Sequence, residues 1–185
     1  MVIKESASVS AALTTFIETQ ELTNEQIAYV LNISKQLVSH MKRDRRPMQK
    51  DIAEQAIKQF SDCPAFAMDL IFEFSSGFTS PVLRGKALEQ HRLSFKEFLL
   101  NEWADVARKI IKSEKEDEMY YFDWSKAPDQ VTEREKNLIK DLIIELNEME
   151  MAAANFRIHL HEAYLIDAKI VRDETLSRVT AKGWI

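Results

Sequence analysis

The segment Thr23–Pro47, TNEQIAYVLNISKQLVSHMKRDRRP, constrains this chain most, because it spells two short helices around a three-residue corner with a basic loop behind them. Thr23 with Gln26 three positions on forms a capping box, and Glu25 puts a carboxylate in the first turn, so a helix is expected from about Asn24. Ile27, Ala28 and Leu31 share one face, and Ala28 is short enough for a second helix to cross closely. Asn32 stands where the chain must leave that helix, and asparagine tolerates positive φ better than most non-glycine residues. Ile33 then plugs the corner, Ser34 can cap the next helix, and Val38 and Met41 point inward. Lys35, Gln36, Ser39 and His40 are left on or beside the outward face, polar groups able to meet base edges or phosphates. Lys42-Arg43-Asp44-Arg45-Arg46-Pro47 follows, placed to flank a groove beside a phosphate backbone.

These residues resemble the helix-turn-helix domain of phage repressors and Cro proteins. In that family the first motif helix carries a polar residue, a hydrophobic residue three along, then alanine; Asn24, Ile27 and Ala28 look like that set. The corner glycine corresponds to Asn32, the next aliphatic to Ile33, and the aliphatic-serine pair of the recognition helix to Val38 and Ser39. The closing glycine, arginine and proline look like Asp44, Arg45 or Arg46, and Pro47. Two departures are the loss of glycine at Asn32 and Asp44, and the shortness of Asn24 where glutamine commonly contacts phosphate. The resemblance covers about the first 75 residues. It implies double-stranded DNA as partner, with base reading by Lys35, Gln36, Ser39 and His40 and phosphate contacts from Asn24, Lys42, Arg43, Arg45 and Arg46.

The flanks complete a five-helix domain. Val9, Leu13, Phe16 and Ile17 mark a helix over about residues 8–19, and Ile52, Ala53, Ala56, Ile57 and Phe60 mark one after the motif. Pro64–Phe74 carries Phe66, Leu70, Ile71 and Phe74, with Pro64 suited to an early helical position. Ser75-Ser76-Gly77 and Thr79-Ser80-Pro81 interrupt the periodicity, so the expected division is residues 1–80 for the DNA-binding domain and 81–185 for a helical dimerisation or partner-binding domain.

The formal charge of −5 looks unfavourable for DNA, but it is a whole-chain average. Lys35 to Lys50 holds six basic residues and one acid, whereas residues 84–185 sum to −3. A basic footprint on an acidic body is compatible with specific binding and predicts modest nonspecific affinity. No signal-peptide pattern or long apolar span occurs, and the single cysteine fits a cytoplasmic protein away from membranes.

The second half reads as almost wholly helical, so the expected fold class is all-α. Gly85 to about Lys115 carries a wide apolar stripe, Leu88, Phe95, Phe98, Leu99, Trp103, Val106, Ile110 and Ile111. Ser113–Glu118 is a charged run, and Tyr120-Tyr121-Phe122-Asp123-Trp124 is an aromatic cluster that can cover a bundle or meet a partner. From Thr132, which makes a capping box with Glu135, Ile139, Leu142, Leu146, Met149, Ala153, Phe156, Leu160 and Ala163 alternate four and three apart; Asp167 then interrupts and Ile170 resumes. Such a helix folds back on residues 85–112, pairs with a second copy, or does both. Pairing through Leu142, Leu146, Met149, Phe156 and Leu160 is favoured, because a dimer presents two recognition helices to a pseudo-palindromic operator.

No enzyme signature emerges. His159 and His161 lie near Glu162 without an HExxH arrangement, no histidine has glutamate three positions before it, and Gly85-Lys86 lacks the earlier glycines of a phosphate loop. Cys63 beside Pro64 reads as packing, and neither a metal nor a cofactor is expected. The expected function is a homodimeric repressor that occludes a promoter. The competing readings are a phage or mobile-element protein that sequesters a host protein through its C-terminal helices, and a replication or plasmid-maintenance factor.

Overall fold

The computed structural model describes residues 3–111 and 122–185, so the expectations for Ser113–Glu118, Tyr120 and Tyr121 lie outside the described residues. Most of the described chain is helical, in eight α-helices, one 3-10 turn and one two-stranded ladder. The chain divides into two compact units, residues 1–82 with 164–185, and residues 83–163.

The first unit contains β1 (Ser6–Ala7), α1 (Ser10–Thr19), α2 (Asn24–Val30), α3 (Lys35–Lys42), β2 (Met48–Gln49), α4 (Lys50–Gln59) and α5 (Pro64–Phe74). Leu13, Ile27, Leu31, Val38, Met41, Met48, Ala56 and Leu70 are its innermost side chains. Phe16 stacks on Phe66 at a centroid distance of 4.0 Å, and Phe60 meets Phe16 edge-on at 4.8 Å, so α1, α5 and the end of α4 share one aromatic cluster. The short ladder, which local sequence patterns did not predict, pairs Ser6 with Gln49 and Ala7 with Met48. Its neighbours extend it: Lys50 N–H donates to the Glu5 carbonyl and Lys4 N–H to the Phe74 carbonyl, each at 3.0 Å. The N-terminal strap thereby ties the start of α4 and the end of α5 to one segment.

The chain holds three glycines, and its helices mostly end without them. At α2 the Ile33 N–H bonds the Ala28 carbonyl and the Asn32 N–H the Tyr29 carbonyl, with Asn32 at φ 49°. At α3 the Arg45 N–H bonds the His40 carbonyl and the Asp44 N–H the Met41 carbonyl, with Asp44 at φ 56°. Both are Schellman closures with a non-glycine residue in the left-handed position.

In the second unit α6 runs Arg92–Ile110 and α7 runs Glu133–Tyr164, preceded by the 3-10 turn Pro128–Gln130. α6 starts seven residues later than the Gly85 expected from the apolar stripe. His91 caps it, its Nδ1 accepting from Leu93 N–H, and the preceding chain is fixed by the Leu83 N–H, which donates to Asn155 Oδ1 at 2.8 Å. Asn155 is 1% exposed and also donates to the Met151 carbonyl, so both ends of this buried amide are satisfied. α7 begins as the capping box requires: Glu135 N–H donates to Thr132 Oγ1, and Glu135 Oε2 accepts from the Thr132 N–H. Phe95 on His159, 4.1 Å between centroids, and Lys109 to Glu145 at 3.1 Å fix α6 and α7 as antiparallel neighbours.

Where one interrupted seam was expected beyond Ala163, the chain breaks. Leu165 adopts φ 51°, and Asp167 caps a separate α8 (Ala168–Ala181) by accepting from Lys169 and Ile170 N–H groups. Asp167 is therefore a helix start. No α8 side chain is buried.

Candidate nucleic-acid interface

α2 and α3 are placed by their own ends. Thr23 Oγ1 accepts from Gln26 N–H at 3.2 Å while Gln26 Oε1 accepts from Thr23 N–H at 2.8 Å, and Ser34 Oγ accepts from Leu37 N–H at 3.1 Å. Between the caps, Ile27 and Ala28 are buried on α2 and Val38 and Met41 on α3, which fixes which face of α3 turns outward.

That outward face carries the side chains singled out from sequence. Lys35 and Gln36 are exposed, and Ser39 and His40 are half-exposed one turn later. Asn24, the first residue of α2, and Lys42, the last of α3, are half-exposed; Arg43, Arg45 and Arg46 are exposed. The three arginines make no side-chain hydrogen bond or ion pair among the described residues, so their guanidinium groups are available to anions. Asp44, in their midst, instead accepts from Ser8 Oγ at 2.5 Å, a bond that joins the basic loop to the strap before α1.

One interaction was not legible in the sequence. Lys35 Nζ is paired with the Glu25 carboxylate, and this hydrogen bond, with the attraction behind it, holds the Glu25 carboxyl below its ordinary value. The two residues lie ten apart, in the first turns of adjacent helices, and only the crossing of α2 over α3 brings them together. Tyr29, another residue that sequence reasoning did not single out, is 88% exposed on α2, the largest aromatic area that the motif presents.

The chain matches no protein-family model, no curated protein and no solved structure. The chemistry of this surface therefore rests on its own residues. No helix among the described residues is long and apolar enough to cross a membrane.

The second unit offers two smaller features. A pocket of about 160 Å³ is lined by Lys109, Phe122, Trp124, Leu138, Ile139, Asp141 and Leu142, a volume below the usual range for organic ligands. Glu102, Asp105 and Glu145 bring carboxylate oxygens within 4.8 Å of one another. Arg108 pairs with Asp105 and Lys109 with Glu145, so two of the three charges are already compensated. Burial, then Glu148 and Glu145, push the Glu102 carboxyl above its ordinary value.

The α7 seam divides between uses. Leu142 is buried inside the unit and has no surface left for a second chain; Met149, Phe156 and Leu160 are half-buried, and Leu146 is 37% exposed. α7 turns Leu142, Ala152, Asn155 and Ile158 inward, a face rotated from the expected seam because α7 also packs on the chain around Leu83.

Proposed function

We propose that residues 1–80 form a DNA-binding domain of the phage-repressor and Cro helix-turn-helix type, and that the chain is a homodimeric transcriptional repressor. The observation that carries this reading is the outward face of α3, where Lys35, Gln36, Ser39 and His40 cluster with three unpaired arginines at its C-terminal end. An eight-residue helix is about 12 Å long, a length the major groove admits. Gln36 has the donor and acceptor to meet adenine N7 and N6, and Lys35 can meet guanine once it leaves Glu25. Arg43, Arg45, Arg46 and Lys42 sit where the flanking phosphates pass, and Asn24 contributes a neutral amide to the backbone at the start of α2.

The mechanism is occlusion: a dimer bound to two half-sites covers a promoter, and doubling the recognition helices raises affinity and fixes half-site spacing. Selection of bound fragments from a random DNA library tests it. An enriched inverted repeat is the expected result; no enrichment, or an enriched single half-site bound by a monomer, rejects the homodimeric repressor.

A further inference from the structure

Residues 83–163 bury few apolar side chains. Among the described residues only Phe95, Val106, Phe122, Leu142, Ala152 and Ile158 are buried there, against seventeen in the core around α1–α5. Two antiparallel helices are a single layer, and a stable domain packs at least two. The layer also carries an uncovered apolar face. Leu93, Leu100, Trp103 and Ile110 on α6 are 54, 45, 59 and 44% exposed, and Ile143 and Leu146 on α7 are 52 and 37% exposed.

These six share one side of the hairpin. At 100° per residue the α6 set lies roughly 80–180° round from the line of Phe95 and Lys109, and Leu146 and Ile143 lie roughly 120–180° round from the line of Glu145 and His159. Because the helices are antiparallel, rotation in the same sense from the line where they meet leads to the same side. The pairs Phe95–His159 and Lys109–Glu145 set the register, which brings Ile110 level with Ile143 and Leu146.

We propose that this face is covered by the same face of a second copy of the chain, forming a four-helix bundle from two α6–α7 hairpins. The inference rests on the homodimer proposed above but moves its interface from the α7 seam to a face built mostly by α6. Leu93, Leu100, Trp103 and Ile110 are spaced seven, three and seven apart, the heptad period whose natural complement is another helix of the same period. Exposed Lys96, Glu150 and Arg157 fall within the same arc, so the face carries both signs of charge. Such a face can pair with its own copy across a two-fold axis, where a single-sign face would repel it. The size is also adequate: α6 is about 28 Å long, two packed helices are about 19 Å across, and side-chain relief brings the accessible area close to the ~800 Å² per partner of a stable interface.

The test uses the full chain without DNA. Sedimentation velocity from about 1 to about 100 μM is expected to show a dimer, and Leu100→Glu with Trp103→Glu to weaken it at least about 100-fold at unchanged helicity, since both side chains are exposed. A chain with Trp124→Phe and Trp184→Phe reports Trp103 alone, and its emission should shift to the red on dilution. A monomer throughout the range, a dimer that survives in the folded variant, or Trp103 emission typical of solvent at every concentration would each overturn the proposal. Should the double variant lose helicity, the Trp103 dilution series decides. Binding to a single half-site, measured separately, reports on DNA recognition, so failure of the dimer face and failure of the DNA reading give different results.

Discussion

The Lys35 ammonium, in the first turn of α3, is held by the Glu25 carboxylate in the first turn of α2. The pair puts an acid at the edge of a basic surface and restrains one of the four side chains proposed to read bases. Glu25→Gln removes a charge that repels phosphate and releases Lys35. Binding to scrambled DNA should tighten several-fold, and the dependence of affinity on salt should steepen by about one counterion. An unchanged slope and affinity would show that Glu25 lies outside the electrostatic reach of the bound duplex.

Gln36 is exposed and has no hydrogen bond to another described side chain, so its amide is free to meet a base edge. Gln36→Ala should lower preference at one or two operator positions by roughly 1–3 kcal/mol if the amide makes a bidentate pair with adenine. Equal losses on operator and scrambled DNA would assign Gln36 to the backbone.

Arg43, Arg45 and Arg46 make the complementary case. Neutralising all three should weaken binding to every sequence and flatten the salt dependence, by about one counterion for each phosphate no longer neutralised. A triple variant that keeps the wild-type slope excludes them as phosphate clamps.

The first 75 residues were legible because their signals are local. The capping box at Thr23, the left-handed turn at Asn32, the cap at Ser34 and Pro64 at the start of α5 each depend on residues within a few positions. What escaped depends on tertiary approach: the ladder from Ser6 to Gln49, the Ser8–Asp44 bond and the Glu25–Lys35 pair join residues distant in sequence. In the second half, periodicity located α7 but not the direction in which it is used. A seam spaced four and three is the same pattern whether an α-helix packs on its own chain or on another, and the bond from Leu83 to Asn155 decides that Asn155 turns inward. The apolar residues upstream of α6 misled in a similar way, because Leu88 fits a helical stripe while His91 caps the helix only after it.

Unit stability on the α6–α7 side should fall in two steps with acid. Burial chiefly holds the His159 imidazole below its usual value of 6.5, with His91 acting in the same direction and Glu162 opposing it. A histidine that binds its proton less well when folded leaves stability intact above about 6.5 and erodes it as pH falls below that value. Glu135 has the opposite partner logic: the hydrogen bond from Lys126 at 2.5 Å, then those from Thr132, hold its carboxyl down to about 2. Its contribution is present above the ordinary carboxylate value, about 4.5, and disappears between there and about 2. Melting followed by circular dichroism should show the first step vanish in His159→Gln while the second remains. An unchanged first step would place the responsible proton elsewhere.

The two left-handed closures, Asn32 and Asp44, should respond differently to glycine. Asn32 has φ 49° and no side-chain hydrogen bond among the described residues, so Asn32→Gly relieves backbone strain without breaking a side-chain bond. Part of that gain is offset by the larger entropy of glycine in the unfolded chain, leaving a net change within about 1 kcal/mol, toward stability. Asn32→Val must hold a β-branched side chain at positive φ and should destabilise by at least about 1–2 kcal/mol, loosening the corner that aims α3. Asp44→Gly relieves similar strain at φ 56° but also deletes the acceptor for Ser8, so its net effect should lie below that of Asn32→Gly. A double-mutant cycle separates the two effects at Asp44: Ser8→Ala should cost stability in the wild-type background and nothing in Asp44→Gly, as read by urea denaturation. If Ser8→Ala is equally costly in both backgrounds, the hydroxyl acts through another partner, and the strap before α1 does not anchor the basic loop.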